Sequence, residues 1–356
     1  MIPVTILTGF LGSGKTTLLK RILNEKHGMK IAVIENEFGE ENIDNEILVQ
    51  ETNEQIIQMS NGCICCTIRG DLARALEDLA NRKKAGTLDF DRVVIETTGL
   101  ANPGPVAQTF FMDNTVADEF LLDAIITLVD AKHANAQLDQ HEVVQRQVGF
   151  ADRLFITKSD LVDADALEAL KHRLVHMNPR AAIKVVNFGD ADIKEIFDLR
   201  GFNLNSKLEI DPDFLAEDEH DHDHDHAHDD DHDHSTCGHD HSHDHEHHHH
   251  HHHAHHDDKI KSFVYRSDKP FDPNRLEDFL GGILQIYGER LLRYKGVLYM
   301  KGVDRKVVFQ GVHQMMGSDL AAKWMPIEKK NSKMVFIGIE LPKDLITDGL
   351  DACLVK

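Results

Sequence analysis

The sequence has little of what marks membrane and secreted proteins. No stretch approaches the roughly 18 consecutive apolar residues of a membrane-spanning helix. The start, "MIPVTILTGFLGSGK", lacks the basic region and the cleavage site of a signal peptide. Five cysteines are an odd number and are poorly spaced for a disulfide framework. We therefore expect a cytoplasmic protein that does not associate with membranes and whose cysteines remain thiols.

Positive charge is also scarce. The 39 Lys and Arg face 61 Asp and Glu, which gives a formal net charge of −22. Residues 217–258 contain 15 Asp and Glu and no Lys or Arg, so they account for −15 of this charge and the other residues for −7. Binding to a phosphate backbone requires a concentrated basic surface, and the sequence has none. This absence argues against a nucleic-acid partner.

The first 200 residues alternate apolar runs with helical periodicity. The runs "VTILTG", "KIAVIEN", "RVVIETTG", "AIITLVDA", "RLFITKSD" and "AIKVVNF" are rich in β-branched residues and apolar throughout. Such runs suit strands that are buried on both faces of a mostly parallel sheet. The sequence therefore predicts an α/β fold class, with a first domain over residues 1–200.

A compositional break separates this region from the C-terminal part. Residues 201–258 form a predicted linker, and its 217–258 segment is almost entirely Asp, Glu and His, with 20 of the 26 histidines. No core can form from such a composition. From residue 259 to 356, strand-like runs such as "IKSFVYRS", "GVLYMKG", "KVVFQGVH" and "KMVFIGIEL" accompany an amphipathic helix predicted to extend to Gly296. These features predict a small α+β domain.

The segment "TGFLGSGKTT" contains a phosphate-binding pattern. Gly9 is followed after four residues by Gly14, Lys15 and Thr16, between a predicted strand and a predicted helix, which is the arrangement of a P-loop. Backbone N–H groups of this loop bind phosphates, the lysine neutralises them, and the Thr16 hydroxyl ligates Mg²⁺. The predicted nucleotide-binding residues here are Gly9, Gly12, Ser13, Gly14, Lys15, Thr16 and Thr17.

Two further strand ends complete the predicted nucleotide site. Glu96 ends the run "RVVIE", where a carboxylate can support the Mg²⁺ shell, so Lys15, Thr16 and Glu96 are the predicted catalytic residues. The run "FITKSD" carries Thr157, Lys158 and Asp160, similar to the N-K-x-D guanine motif with Thr in the Asn position. A carboxylate accepts from the two donors of guanine but repels the N1 lone pair of adenine. The pattern therefore favours GTP, while Thr157 leaves the strictness of that preference open.

Three cysteines lie close together in "NGCICC". Cys63, Cys65 and Cys66 precede an apolar helix face, and thiolates favour zinc, with cobalt or nickel as alternatives. Free cysteines are also common in cores, and the C-x-x-C spacing of Cys63 and Cys66 would suit a redox pair. Three cysteines in four positions favour the metal interpretation. The histidines from His220 to His256 would add weak, multiple and exchangeable metal binding.

Taken in order, the motifs resemble the CobW-type GTPases, relatives of the HypB and UreG metallochaperones. The resemblance rests on "TGFLGSGKTTLL", "AVIENEFGE", "NGCICC", "VIETTGLANP", "TKSD", "FQGVHQMM" and "MVFIGIEL". It implies a P-loop NTPase domain and a GTPase with Mg²⁺ that binds a divalent metal and delivers it to a client metalloprotein. Metal ligation then falls on the three cysteines, with Glu35, Glu37 and Glu40 as candidate ligands or switch residues. His313 occupies a characteristic position without an assigned role.

These predictions lead to one hypothesis and two alternatives. The hypothesis is a zinc chaperone in which GTP hydrolysis, slow in the isolated chain, controls metal release to a client. One alternative is a zinc buffer with a regulatory GTPase, and the other is a cobalt or nickel insertase for a cofactor or metalloenzyme. The client and the oligomeric state, including a homodimer, are left open by the sequence.

Overall fold

The computed structural model describes residues 1–35, 56–58, 68–203 and 258–356. Its strands form two sheets, one from the N-terminal part and one from the C-terminal part of the chain. The strands of the first sheet are β1 (Ile2–Gly9), β2 (Ile31–Glu35), β3 (Ile56–Gln58), β4 (Arg92–Glu96), β5 (Phe120–Asp130), β6 (Arg153–Thr157) and β7 (Ala182–Val185). The strands of the second sheet are β8 (Ile260–Ser267), β9 (Leu291–Leu298), β10 (Arg305–Val312), β11 (Met315–Lys323) and β12 (Ser332–Ile339).

The first sheet is parallel, with the strand order β3-β2-β4-β1-β5-β6-β7. Its central strands are buried on both faces because helices cover both sides, as their uniformly apolar sequences predict. The helices are α1 (Lys15–Asn24), α2 (Ile68–Lys84), α3 (Pro103–Met112), α4 (Asn114–Glu119), α5 (Ala134–Gln140), α6 (Glu142–Phe150) and α7 (Ala164–Met177). In α2, Leu72, Leu76 and Leu79 are buried at helical spacing. This architecture is the P-loop NTPase fold, so the predicted α/β class is confirmed.

The second sheet is antiparallel, with the order β11-β10-β9-β12-β8. One of its faces packs under the helices α8 (Pro273–Tyr287) and α9 (Lys343–Ala352), with Phe263, Phe309 and Phe336 in the core between them. The prediction that α8 extends to Gly296 is wrong. The helix ends at Tyr287, and Leu291–Leu298 is strand β9, because Gly288 closes the helix and a tight turn follows. The small α+β domain itself is confirmed.

The opposite face of the second sheet packs against the first domain. Val264, Val312, Val335 and Ile337 belong to the same apolar core as the residues of α3 and α6. A buried ion pair reinforces this contact, because Arg293 Nη2 lies 2.8 Å from Asp152 Oδ1. The two domains therefore share one core, and the central strands β9 and β12 of the second sheet are covered on both faces.

The last residue of the predicted linker, Asp258, is buried where the chain enters the C-terminal domain. Both of its carboxylate oxygens accept from Arg173 of α7, at 2.9 and 2.6 Å. The backbone N–H groups of Lys259 and Ile260 donate to Gln145 Oε1 of α6. The domain boundaries at 200 and 258 remain predictions. None of the described helices combines the length and the apolarity needed to cross a lipid bilayer.

Candidate functional site

The loop between β1 and α1 has the conformation that its glycines allow. Gly9, Gly12 and Gly14 have φ values of +140°, +74° and +98°. At Gly9 a side chain is excluded by space as well, because a Cβ there would stand 2.5 Å from the Leu128 carbonyl oxygen. Gly14 immediately precedes α1, and no side chain of the described residues caps that helix. Its first-turn N–H groups are thus available to bind an anion, and the exposed Thr17 lies in that turn.

Two side chains of this loop are buried within it. Lys15 is 8% exposed, and its Nζ donates to the carbonyl oxygens of Gly9 and Phe10 at 2.9 and 3.0 Å. Burial lowers the pKa of Lys15, and the charge of Glu96 partly offsets this effect. Ser13 Oγ is buried and has no hydrogen-bond partner among the described residues. A phosphate oxygen would satisfy the Ser13 hydroxyl and could replace the carbonyl oxygens as partner of the lysine.

A carboxylate and a hydroxyl lie next to this loop. Thr16 Oγ1 donates to Glu96 Oε1 at 3.0 Å, and Glu96 is 9% exposed at the carboxyl end of β4. Two oxygen ligands at the phosphate edge suit Mg²⁺, which takes few protein ligands and completes its shell with water and phosphate oxygens. Glu35 lies opposite Glu96 in the β2–β4 register, so it ends its strand at the same edge of the sheet.

The segment 97–102, between β4 and α3, packs against the phosphate loop. Thr97 donates through its N–H to the Leu7 carbonyl oxygen. A Cβ at Gly99 would lie 2.6 Å from the backbone nitrogen of Leu11, so this contact requires glycine. Gln147 of α6, fully buried, donates through Nε2 to the carbonyl oxygens of Gly99 and Ala101 at 3.1 and 3.0 Å. The segment is therefore held between the phosphate loop and α6.

The predicted guanine motif lies at the end of β6, beside the same loop. The buried Thr157 Oγ1 donates to the Ser13 carbonyl oxygen at 2.8 Å, which joins β6 to the phosphate loop. Lys158 has a left-handed φ of +56°, and its Nζ lies 2.7 Å from Asp130 Oδ2. Burial alone would raise the pKa of Asp130, but hydrogen bonds from Lys158 and His133 outweigh it and hold that pKa below its ordinary value. Asp130 thereby holds the lysine side chain in place.

Asp160 is exposed at the next turn, and a neighbouring loop supports that turn. Asn187, after β7, accepts from the Ser159 N–H at 3.0 Å and donates to Ser159 Oγ at 2.9 Å. The next residue, Phe188, is 80% exposed. The Asp160 carboxylate is thus accessible on a braced turn, as base recognition requires.

Three of these supporting residues were missed by the motif analysis. Asp130 ends the apolar run "AIITLVD", the same signal that drew attention to Glu96, and could have been found. Asn187 follows the strand run "IKVV" in an Asn-x-Gly turn, which is a weaker signal. Gln147 lies inside a helix and carries no sequence signal, because its role depends on a contact 48 residues away in the chain.

Most of the predicted metal ligands lie outside the residues that the structure describes. Cys63, Cys65, Cys66, Glu37, Glu40 and the segment from His220 to His256 lie outside the described residues. The chain leaves the described structure at Glu35 and Gln58, the carboxyl ends of the paired strands β2 and β3, and returns at Ile68. Among the described residues no group of three or more His, Cys, Asp or Glu is arranged to hold a metal ion. His313 lies far along the chain, buried between the two domains.

Comparison with known proteins agrees with this architecture. Residues 3–185 match the family "CobW/HypB/UreG, nucleotide-binding domain", and residues 260–354 match the "Cobalamin synthesis protein cobW C-terminal domain". The chain is 40% identical over 348 residues to the zinc chaperone YjiA of Escherichia coli (strain K12), which covers 97% of this chain and 96% of YjiA. It is 39% identical over 208 residues to the zinc-regulated GTPase metalloprotein activator 1 of Schizosaccharomyces pombe, covering 56% of this chain and 50% of that protein.

A solved structure supports the same assignment. The crystal structure of the Zn(II)-bound YjiA GTPase from E. coli superposes with a TM-score of 0.75 at 36% identity and covers 99% of both chains. The similarity thus includes both domains and their order along the chain. The chain belongs to the CobW/HypB/UreG family, with a CobW-type C-terminal domain.

Proposed function

We propose that this protein is a GTP-hydrolysing zinc metallochaperone, which binds Zn²⁺ at its Cys-x-Cys-Cys element and transfers it to a client metalloprotein under nucleotide control. The observation that carries the proposal is the built phosphate site, in which Lys15, Thr16 and Glu96 converge beside an uncapped helix N-terminus. The full-length similarity to a zinc chaperone supports the metal part of the proposal.

GTP is the nucleotide that the site suits. The triphosphate would lie along residues 9–17, with the N–H groups of the α1 N-terminus and Lys15 Nζ facing its oxygens. At the other end, Asp160 would accept from the guanine N1–H and amino group, and the Lys158 stem would cover the ring. Because Asp130 already holds Lys158 Nζ, this stem is oriented before the nucleotide arrives.

Mg²⁺ fits the pair formed by Thr16 and Glu96. A bound Mg²⁺ would neutralise charge on the β and γ phosphates during hydrolysis. Thr16 Oγ1 would be a direct ligand, and Glu96 would orient a ligated water through Oε1. Lys15 contributes a positive charge whose burial strengthens its interaction with phosphate oxygens. Gly99, which packs on Leu11, would respond to the γ phosphate through its N–H group.

The metal cargo would bind beside the nucleotide. Glu37 and Glu40 follow β2, which ends opposite Glu96. The three cysteines lie between β3, which ends opposite Glu35 of β2, and α2. Thiolates supply the soft ligands that zinc prefers, and a carboxylate can complete a four-coordinate site. The histidine-rich segment from His220 to His256 would collect Zn²⁺ weakly and pass it to this tighter site.

The nucleotide would gate the transfer. In the GTP state, a γ phosphate that orders "ENEFGE" would hold the cysteine site closed around the metal, and hydrolysis would relax it and release the metal to the client. We also propose that the protein works in the cytoplasm without nucleic acid, and that a homodimer is compatible with its activity.

The test is Zn²⁺ affinity, measured by competition with a chromophoric chelator in GDP and in a non-hydrolysable GTP analogue. The chain used should lack residues 217–257 but keep Asp258, whose ion pair with Arg173 belongs to the domain interface. We expect an affinity difference of at least tenfold between the nucleotide states, abolished by Cys65→Ala. The control is Cys353→Ala, because that thiol is buried in the core of the C-terminal domain. Equal affinities in both states would refute nucleotide control and favour zinc storage.

A further inference from the structure

His313 has no part in the function proposed so far, yet it is unusually placed. It lies in the turn between β10 and β11, it is 8% exposed, and its φ is +53°. A left-handed backbone at a residue other than glycine costs free energy and persists where the surroundings hold it. The ring is therefore kept in a defined position by its contacts.

Those contacts orient both ring nitrogens. Nδ1 lies 3.2 Å from the Gly288 carbonyl oxygen, which can only accept, so Nδ1 carries a proton. Burial lowers the pKa of His313, which favours the neutral ring and leaves a lone pair on Nε2. Nε2 faces Gly104, the second residue of α3, where an added Cβ would stand 2.7 Å from it. The ring therefore lies against the N-terminus of α3, whose Gly104 N–H group donates to Asn102 Oδ1.

Helix α3, which His313 contacts at Gly104, is connected to the phosphate site. Helix α3 begins directly after the segment 97–102, which starts next to Glu96 and packs on the phosphate loop at Gly99. Helix α6 touches both ends, because Gln147 binds the carbonyl oxygens of the segment and Phe150 lies edge-on to the His313 ring at 5.2 Å between centroids. One continuous, tightly packed path thus joins the γ-phosphate side of the loop to the C-terminal domain.

We propose that His313 is the positioning residue that transmits a nucleotide-dependent movement of segment 97–102 to the β10–β11 hairpin. When that segment shifts on binding or loss of the γ phosphate, the N-terminus of α3 moves with it. The contact between Gly104 and the ring leaves no space to absorb the movement, so the turn at His313 and the end of α8 at Gly288 move as well. The inference rests on the GTP-binding part of the proposed function and is independent of where zinc binds.

The experiment compares amide hydrogen exchange over residues 305–323 of the full chain in GDP and in a non-hydrolysable GTP analogue. We expect the wild type to show a nucleotide-dependent difference there. His313→Asn keeps a residue that tolerates the left-handed backbone but is too short to reach Gly104, so the difference should fall at least fivefold while the affinity for GDP stays within twofold. His313→Gly, which also permits that backbone, should behave alike and serves if the Asn variant does not fold.

The matched control breaks an interdomain contact away from the segment. Ser262→Ala removes the hydrogen bond from Ser262 Oγ to the His176 carbonyl oxygen, 2.7 Å long, and should leave the exchange difference intact. An unchanged difference in both His313 variants, or an equal loss in Ser262→Ala, would overturn the inference. A wild type that binds both nucleotides without any difference would also overturn it, whereas failure to bind GTP at all would refute the proposed function itself.

Discussion

The two sheets of this protein place their polar groups differently. In the parallel sheet, Glu96, Asp130 and Thr157 end three separate strands at one edge, where the phosphate loop also lies. In the antiparallel sheet, several buried polar residues, among them Arg293, Lys295 and His313, lie on or next to the face that contacts the other domain. Parallel strands bring all their carboxyl ends to one edge, while antiparallel strands alternate, so the second sheet offers a face rather than an edge. The candidate nucleotide site therefore lies at the carboxyl edge of the parallel sheet, and the proposed coupling between the domains lies at the interdomain face of the antiparallel sheet.

The largest effect, a loss in the free energy of unfolding, should come from removing a buried charge at the interface between the domains. Arg173→Ala removes the partner of the buried Asp258 carboxylate, together with a hydrogen bond to Asn135 Oδ1. Leaving such a charge unpaired costs about 3–5 kcal/mol, which urea unfolding will measure. Arg82→Ala, which loses an exposed ion pair with Asp78, is the control and should change the free energy of unfolding by less than about 1 kcal/mol. Similar losses in both variants would contradict the importance of the buried pair.

The second prediction concerns the phosphate loop at the carboxyl edge of the parallel sheet, where the variant is Lys15→Ala. Removing a preorganised positive group from the phosphate site should lower the rate constant of GTP hydrolysis about 100-fold to 1000-fold, measured by phosphate release. Lys20→Ala, on the same helix but outside the loop, should retain activity within about threefold. If Lys15→Ala hydrolysed GTP at the wild-type rate, the assignment of the phosphate site would be wrong.

The pH dependence of the free energy of unfolding tests the burial of Lys295 on the interdomain face of the second sheet. Burial, reinforced by the neighbouring charges of Arg180 and Arg293, lowers the pKa of Lys295 to about 8. The unfolded chain then binds this proton more tightly than the folded chain, so the free energy of unfolding should rise by about 1–3 kcal/mol between pH 8 and pH 10. Lys295→Met should flatten this rise, and the exposed Lys261→Met should not. Equal profiles for the wild type and Lys295→Met would refute the assignment.

The smallest expected effect is at the contact between segment 97–102 and the phosphate loop. Gly99→Ala places a Cβ 2.6 Å from the Leu11 backbone nitrogen, so backbone must move, and the affinity for the GTP analogue should fall about tenfold, roughly 1.4 kcal/mol. The control is Gly281→Ala in α8, where nothing lies within 4 Å of the added carbon. That change should leave nucleotide binding intact and raise stability by about 0.5–1 kcal/mol. Titration of a fluorescent GTP analogue distinguishes the two.

Most of the fold could be predicted from local sequence patterns. The apolar runs of β1, β2, β4, β5 and β6 were recognisable because these parallel strands are buried on both faces, whereas the exposed edge strand β7 was recognisable by its β-branched residues. Two strands were missed for physical reasons. β3 has three residues, and β11 ("MMGSDLAAK") lacks β-branched residues and is exposed along most of its length. The error in α8 arose because Leu291 and Leu292 continue the helical spacing, while a single Gly288 ended the helix.

For the site, the sequence predicted residues that belong to one motif but did not predict the contacts between residues far apart in the chain. The residues of the phosphate loop are neighbours in the chain, and "TKSD" is one turn, so their spacing is visible. Asp130 meets Lys158, Gln147 meets Gly99, and His313 meets Gly104 across 28, 48 and 209 positions. No local pattern encodes such pairs, because they depend on how the helices pack.

The shared core between the domains has a consequence for how the chain can be divided. Residues on both sides of the linker bury each other's apolar surface, and Arg293–Asp152 and Arg173–Asp258 cross the same boundary. We therefore expect the halves to associate without the covalent connection between them. We expect the chain to function as two co-expressed polypeptides that divide within residues 217–257, so that a protease cut there would leave a nicked but assembled protein.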